Sequence, residues 1–170
     1  MTALIRIDRS WTPSRVDSPK PIRFCSRCGL PSEEPPGRPE LRRRVCHRCG
    51  MGMMLSCGRD ALPGEGAAFL ILTYELTVSA VSEGGERLFG GEGSVTGVHL
   101  LDLLTSPLGD DQLMRKVGQA AQRACEPVVM PVRLVAELTS RIGTLAARVG
   151  TCGPPRAALV TLEPSEFGRR

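Results

Sequence analysis

Two Cys-x-x-Cys-Gly segments constrain this chain more than any other feature of its sequence. The first is Cys25-Ser-Arg-Cys28 followed by Gly29; the second is Cys46-His-Arg-Cys49 followed by Gly50, and seventeen residues separate Cys28 from Cys46. Two residues inside each pair allow a tight turn to direct both sulfurs at one ion. The glycine that follows can adopt a positive φ, which turns backbone N–H groups towards the thiolates. The spacing predicts a zinc ion bound by Cys25, Cys28, Cys46 and Cys49.

The stretch 22–57 resembles a zinc ribbon, with all four ligand positions filled. Disulfides or free buried thiols are the alternatives to a metal. His47 lies inside the second pair and could replace a cysteine, although four thiolates already complete a tetrahedron. Such a tetrahedron leaves no coordination position for water, so the zinc is expected to be structural. The metal would substitute for a hydrophobic core that so short a unit cannot build.

The other three cysteines are expected to be reduced. The sequence from Met1 has no apolar segment of signal-peptide length, and no run approaches the roughly 18 apolar residues of a membrane span. We therefore expect a cytoplasmic protein with no membrane association, where thiols stay reduced. Cys125 and Cys152 have no spaced partner and are expected to be unreactive. Cys57 is interpreted as a small buried hydrophobe, with a spare thiol or a redox partner of the cluster as alternatives.

Charge divides the chain into two modules. Residues 1–60 carry twelve Arg and Lys against six Asp and Glu, a balance of +6, whereas residues 61–170 have a balance of −2. We predict an extended or disordered lead (1–21), the zinc ribbon (22–57), a linker of turn residues (58–66) and a second domain (67–165). The apolar run from Met51 to Leu55 is expected to pack beneath the zinc site or against the second domain.

The second domain has the pattern of an α+β fold. Two strands are predicted over 67–74 and 77–82, then short helices over 83–90 and 98–104, then a longer helix from Asp111 to about Cys125. Three further strands follow, over 128–136, 142–149 and 157–162. Asp110 is expected to cap the longer helix, whose apolar side is formed by Leu113, Val117, Ala120, Ala121 and Ala124. This order predicts a five-stranded antiparallel sheet with helices on one face.

From Phe69 onward the chain resembles a PAS domain. The likeness is carried by the hairpin that leads into Leu88-Phe-Gly90, and by the segment Val95-Thr-Gly-Val-His-Leu-Leu-Asp-Leu-Leu104. It covers about residues 66–165. The resemblance implies a sensing or interaction module whose sheet and helices enclose a ligand-sized cavity, and which often works as a homodimer. If a ligand binds there, we expect a small apolar or amphipathic molecule; otherwise side chains fill the cavity.

The same resemblance excludes several cofactors. The flavin-binding motif Gly-x-Asn-Cys-Arg-Phe-Leu-Gln has no match, and the long helix lacks the histidine of haem-binding relatives. His99 lies before that helix and is expected to be a capping or surface residue. No nucleophile elbow, Walker loop or His-Glu-x-x-His segment is present, so we expect no enzymatic activity.

These observations favour a non-enzymatic cytoplasmic regulator that acts through a protein partner, with a structural zinc ribbon coupled to a PAS-like small-molecule-sensing or dimerisation module. A nucleic-acid-binding transcriptional regulator is a second hypothesis, in which the ribbon contacts phosphates through Arg38, Arg42, Arg43, Arg44 and Arg48. The acidic Glu33 and Glu34, and a content of only 4% aromatic residues, count against it. A thiol redox switch that releases zinc on oxidation is the third.

Overall fold

The computed structural model describes residues 20–32, 44–135 and 143–165. Several sequence predictions fall outside these ranges. They are nearly all of the extended lead, the proposed phosphate contacts Arg38, Arg42 and Arg43, and the strand ends predicted at Ala136 and Ile142. The prolines between Pro31 and Pro39 predict a loop, of which only Pro31 and Ser32 are described, and these two residues form a short strand instead.

The described residues form a mixed α+β fold, as predicted. Its strands form one antiparallel sheet: β1 (Ile22–Cys25), β2 (Pro31–Ser32), β3 (Met54–Cys57), β4 (Ala68–Leu72), β5 (Val78–Val81), β6 (Leu104–Thr105), β7 (Val128–Leu134), β8 (Leu145–Gly153) and β9 (Ala157–Pro164). The helices are α1 (Glu83–Phe89), α2 (Glu92–Val95), α3 (Leu100–Leu103) and α4 (Asp110–Gln122), with a 3-10 turn at Arg59–Ala61.

Strands β4, β5, β7, β8 and β9 lie in the order β5-β4-β9-β8-β7. They correspond to the five strands predicted from the sequence. The helices pack on one face of this part of the sheet, where Leu113 and Val117 of α4 meet Leu70 and Val160 in an apolar core. Other fully buried side chains of the same core are those of Leu72, Leu100 and Leu104.

The sheet does not end with these five strands. β3 pairs with the last residues of β8, beyond the stretch of β8 that pairs with β7, and β1 and β2 follow β3. We call the described residues 20–32 and 44–57 the cysteine ribbon, and the described residues 67–135 and 143–165 the main unit. The division of the chain into these domains stays a prediction, but one continuous sheet runs across both.

A second apolar core lies on the face of the sheet opposite the helices. Phe24 and Leu55 of the cysteine ribbon contribute to it, together with Phe69, Ile71 and Leu159 of the main unit. The rings of Phe24 and Phe69 meet edge to face, with centroids 5.9 Å apart and planes inclined by 75°. Both rings are fully buried. The ribbon therefore covers part of the face that the helices leave open.

Two predictions about the long helix are wrong in detail. Asp110 is not the N-cap of α4 but its first residue, and its carboxylate accepts hydrogen bonds from the Ser106 amide and the Thr105 hydroxyl. The carboxylate thus stabilises the loop that precedes the helix, and it does not cap the helix N-terminus. Ala124 lies beyond the helix and is exposed, because α4 ends at Gln122.

The apolar run after Gly50 does not pack as a unit, contrary to expectation. Leu55 is buried in the second core, on β3. Met51 is 65% exposed and Met53 is 53% exposed. Of the large side chains in the run, the one that is buried belongs to the part that enters the sheet.

His99 occupies the capping role expected of it. It is the N-cap of α3, and its Nδ1 accepts a hydrogen bond from the Leu101 amide at 3.3 Å. This contact satisfies one of the N–H groups that have no partner within the helix itself.

Candidate metal centre

Four sulfurs converge at one end of the cysteine ribbon. The Sγ atoms of Cys25, Cys28, Cys46 and Cys49 all lie within 4.8 Å of one another. The separation is 3.6 Å between Cys25 and Cys49, and 3.9 Å between Cys28 and Cys46. Sulfurs at the corners of a tetrahedron with metal–sulfur bonds of about 2.3 Å are about 3.8 Å apart. Two of the separations thus match those of a tetrahedral site, and the group of four could hold one metal ion.

Both turns that present the sulfurs have the backbone that the sequence predicts. The amide of Gly29 donates to the carbonyl of Cys25, and the amide of Gly50 donates to that of Cys46, each at 3.0 Å. The two glycines have φ values of 72° and 70°, a region that residues with a Cβ adopt only at a cost. The glycine that closes each pair is thus a requirement of the turn.

Backbone amides also point at the sulfurs. Cys25 Sγ accepts from the amides of Arg27 at 3.4 Å and Cys28 at 3.5 Å, and Cys49 Sγ accepts from the amide of Gly52 at 3.3 Å. N–H donors directed at a sulfur stabilise its thiolate, which is the form that binds metal.

Main-chain hydrogen bonds hold the two turns to each other. Ser26 donates its amide to the Met53 carbonyl at 2.8 Å, and its hydroxyl accepts from the Met53 amide at 2.9 Å. The amide of Cys46 donates to the carbonyl of Gly52 at 2.8 Å. The position of one sulfur pair relative to the other is therefore fixed partly by residues that are not candidate ligands.

Gly52 is a functional residue that the sequence pattern does not reveal. A Cβ at this position would overlap Cys25 Sγ and would lie 2.9 Å from Arg27 Cβ. Real Cβ atoms do not approach other heavy atoms so closely, so any side chain here would displace a candidate ligand. The sequence offers no separate signal for this role, because the contact joins two turns that are far apart along the chain.

The thiols differ in how readily they ionise. Burial raises the pKa of Cys25 to about 12 and also raises the pKa of Cys28. Burial acts in the same direction on Cys49, but hydrogen bonds from the amides of Met51 and Gly52 and from neighbouring thiols outweigh it and lower its pKa to about 6. A cation at the centre would favour the thiolate form of every sulfur, so metal binding would release protons.

Arg27 connects the first cysteine turn to the helices of the main unit by charge. Its guanidinium contacts both carboxylate oxygens of Glu86, at 3.2 and 3.3 Å, and Oε2 of Glu92 at 3.0 Å. The side chains of Arg27 and Glu86 are only 23% and 20% exposed, whereas that of Glu92 is 54% exposed. The contact with Glu86 is therefore the better shielded of the two from solvent and salt.

Main-chain hydrogen bonds join the same turn to the main unit and to the residue just before it, Gly66. The carbonyl of Arg27 accepts the amide of Glu83, at the start of α1, at 2.9 Å. The neighbouring carbonyl of Cys28 accepts the amide of Gly66 at 3.3 Å. The candidate ligand Cys28 thus binds directly to the segment that leads into β4, and Arg27 binds directly to the first helix.

The second cysteine turn faces outward. Its exposed residues are Arg44, Val45, His47, Arg48, Gly50, Met51 and Met53. Arg48 forms an ion pair with Glu65 at 2.7 Å. His47 is not a member of the four-sulfur group, and its exposed position is that of a surface residue.

The other three cysteines lie outside the four-sulfur group. Cys57 and Cys152 are buried, whereas Cys125 is exposed. All seven cysteines of the chain are free of disulfides. In the part of the chain that the structure describes, no helix is long and apolar enough to cross a membrane.

No protein-family model matches the chain, and no curated protein matches it. The structure itself provides a group of four convergent sulfurs that could bind a metal ion.

Proposed function

We propose that this chain is a non-enzymatic cytoplasmic regulatory protein in which a structural zinc ribbon is coupled to a PAS-like sensing or dimerisation module. The observation that carries the proposal is the four-sulfur group, in which all sulfurs lie within 4.8 Å of one another and two separations match those of a tetrahedral site. Zinc is the metal proposed because four cysteine ligands in a tetrahedron are typical of structural zinc sites, in which the protein fills every coordination position.

Zinc at this site would stabilise the junction between the two units. The cysteine ribbon has short strands, and its largest buried side chain, Phe24, packs against Phe69 of the main unit. A metal that fixes the first turn would also fix Arg27, which holds Glu86 and Glu92. Metal occupancy and the docking of the ribbon on the main unit are thus expected to be coupled.

The main unit supports the PAS-like part of the proposal by its topology. An antiparallel sheet in the order β5-β4-β9-β8-β7 carries its helices on one face, which agrees with the five-stranded sheet that the element order predicts for the PAS-like stretch. Leucine side chains occupy the space between α3, α4 and the sheet, and Leu100, Leu104 and Leu113 are completely buried there. This filling favours an interaction or dimerisation role over an enclosed ligand.

The outward face of the second cysteine turn supports a protein partner. Residues 44–53 include two arginines and a histidine and no acidic residue. Val45, Met51 and Met53 add exposed apolar surface beside them. Exposed methionines suit adaptable protein contacts, so the partner proposed is a protein surface with acidic and apolar side chains.

Hydrogen exchange tests the coupling between the metal and the main unit. Removal of the metal by a chelator is expected to speed exchange of the Glu83 and Gly66 amides roughly tenfold or more, because their acceptors belong to the first cysteine turn. The amides of Val117 and Ala120 in α4 are the internal control and should keep their protection. Faster exchange within the ribbon, with Glu83 and Gly66 unchanged, would contradict the coupling.

Nucleic-acid binding is the second candidate because the outward face is basic. Arg44 and Arg48 are the two predicted phosphate contacts that the structure describes, and Arg48 is already paired with Glu65. If this function holds, duplex affinity should fall steeply with salt, and an Arg44→Ala/Arg48→Ala variant should reduce the slope of log affinity against log salt by about two. Fluorescence anisotropy with a short DNA duplex measures both. An absence of binding at low ionic strength would eliminate this candidate.

A further inference from the structure

Two buried cysteines face each other where the cysteine ribbon joins the main unit. Cys57 is the last residue of β3, and Cys152 lies near the end of β8. They are directly opposite in the antiparallel register, next to the pair formed by Ser56 and Gly153. The register of β3 against β8 consists of these two residue pairs. The cysteines therefore lie at a narrow connection in the sheet.

The register places the two cysteines at the Cα spacing that disulfides bridge. Residues directly opposite in an antiparallel pair have Cα atoms about 4.5–5.5 Å apart, and disulfides join Cα atoms about 4.4–6.8 Å apart. Directly opposed side chains also project from the same face of a sheet. Cys57 and Cys152 accordingly both belong to the second apolar core. The backbone is thus already in place to bring the two sulfurs together.

We propose that Cys57 and Cys152 are a disulfide-forming pair, oxidised by hydroperoxides, that covalently fastens β3 of the cysteine ribbon to β8 of the main unit. The proposal goes beyond the structural zinc site, since neither cysteine belongs to the four-sulfur group.

A cleft gives small oxidants access to the pair. It has a volume of about 1110 Å³, and both cysteines contribute to its lining, as do the 3-10 turn, the segment after α4 and the turn between β8 and β9. The exposed Cys125 lies on the same lining. Hydrogen peroxide is little larger than water, so it would reach thiols in the cleft that larger reagents cannot reach.

The oxidation is balanced by the peroxide. One thiolate attacks a peroxide oxygen, the O–O bond breaks, and the departing hydroxide takes up a proton to form water. The second thiolate attacks the sulfur of the resulting sulfenic acid, which forms the S–S bond and expels hydroxide, and this hydroxide takes up the proton lost by the second thiol to form the second water. The cysteine pair loses two electrons and two protons, and the peroxide is reduced to two waters.

The burial of the two thiols also slows their oxidation at neutral pH. Burial raises the pKa of each thiol to about 12, and the charge of an ionised Cys57 acts on Cys152 in the same direction. The other titratable residues on the cleft lining are Arg59, Asp60, Tyr74, Cys125, Glu126 and Arg156. The two arginines and the two carboxylates among them offset each other in charge. Because the thiolate is the reactive form, the rate should rise about tenfold for each pH unit between about 7 and 9.

The test uses the full chain loaded with zinc and treated with hydrogen peroxide at about pH 8.5, then alkylated and digested without reduction. We expect a cross-link between the tryptic peptides 49–59 and 149–156, which carry Cys57 and Cys152. Peptide 49–59 also contains Cys49, so fragmentation must place the bond at Cys57. The cross-link should raise the melting temperature by roughly 5–10 °C, since it closes a long loop, and dithiothreitol should reverse both effects.

Matched variants separate this pair from the other thiols. Cys57→Ala and Cys152→Ala should each abolish the cross-link and the thermal shift, while Cys125→Ser should retain both. Zinc should stay bound throughout, as followed with a chromogenic chelator. The proposal is overturned if Cys57 and Cys152 remain alkylable after unfolding of the peroxide-treated chain. It is also overturned if their bond forms only after zinc is released, or only by way of Cys125.

Discussion

Replacement of Gly52 by alanine is expected to reduce the metal affinity of the chain on the order of a hundredfold. The new methyl group would overlap Cys25 Sγ, so this sulfur would have to leave its place in the tetrahedron. The Gly52 backbone also donates to Cys49 Sγ at 3.3 Å and accepts from the Cys46 amide at 2.8 Å. A backbone shift that relieves the clash would therefore disturb two further ligands. Competition with a zinc indicator of known affinity measures the change.

Gly58→Ala is the matched control for this experiment. Gly58 follows β3 and has a φ of −65°, which suits alanine, and a Cβ at this position would have no other atom of the described residues within 4 Å. The control should bind metal as the unsubstituted protein does. An unchanged affinity in Gly52→Ala would mean that the sulfurs do not take up the arrangement described.

A Cys25→Ser variant is expected to lose the metal and to lower the free energy of unfolding by on the order of 4 kcal/mol. Cys25 is fully buried, and its sulfur accepts two backbone amides and lies 3.6 Å from Cys49 Sγ. Loss of the ion would remove the interaction that orders both cysteine turns. Urea unfolding followed by circular dichroism measures the change, with metal content determined on the same samples.

Cys125→Ser makes the same chemical change at an exposed site. The Cys125 sulfur contacts the Thr151 hydroxyl at 3.6 Å and lies outside the four-sulfur group. This variant should keep its metal and stay within about 0.5 kcal/mol of the unsubstituted protein. Equal losses in the two variants would argue against a ligand role for Cys25.

The sulfur group could be predicted because its determinants are local. Each pair needs two intervening residues and a glycine with positive φ, and both glycines have it. The helix that begins at Glu83 was predictable for a similar reason. Ser82 is its N-cap and accepts from the Gly85 amide, and Gly90 follows its last residue. Short-range signals of this kind survive in almost any tertiary context.

The sequence allowed the run from Met51 to Leu55 to pack against the second domain, but it did not predict that β3 would join the sheet of the main unit. Cys57 and Cys152 are neighbours in the sheet although they are far apart in sequence, and no local pattern specifies such a pairing. One signal did point to it. The run from Phe69 to Leu72 is buried at every position, and a strand without polar alternation is covered on both faces. The sequence therefore indicates that both faces of this strand are covered, but it does not indicate which segment of the chain covers them.

The exposure of Met51 and Met53 shows a related limit of prediction from sequence. Apolar composition predicts burial on average, but a short segment without a clear period does not reveal which side chains face the core. Leu55 lies on β3 and is buried, whereas the two methionines project from the second cysteine turn. Their exposure is what makes that turn a candidate surface for a partner.

X-ray absorption at the zinc edge, on freshly purified protein, examines the proposed metal centre itself. A structural zinc ribbon requires one zinc ion per chain, surrounded by four sulfurs at about 2.3 Å and by no nitrogen or oxygen ligand. A nitrogen in the coordination shell would mean that His47 or another donor replaces one of the four cysteines. An absence of zinc, with Cys25, Cys28, Cys46 and Cys49 oxidised in pairs, would contradict the zinc ribbon altogether.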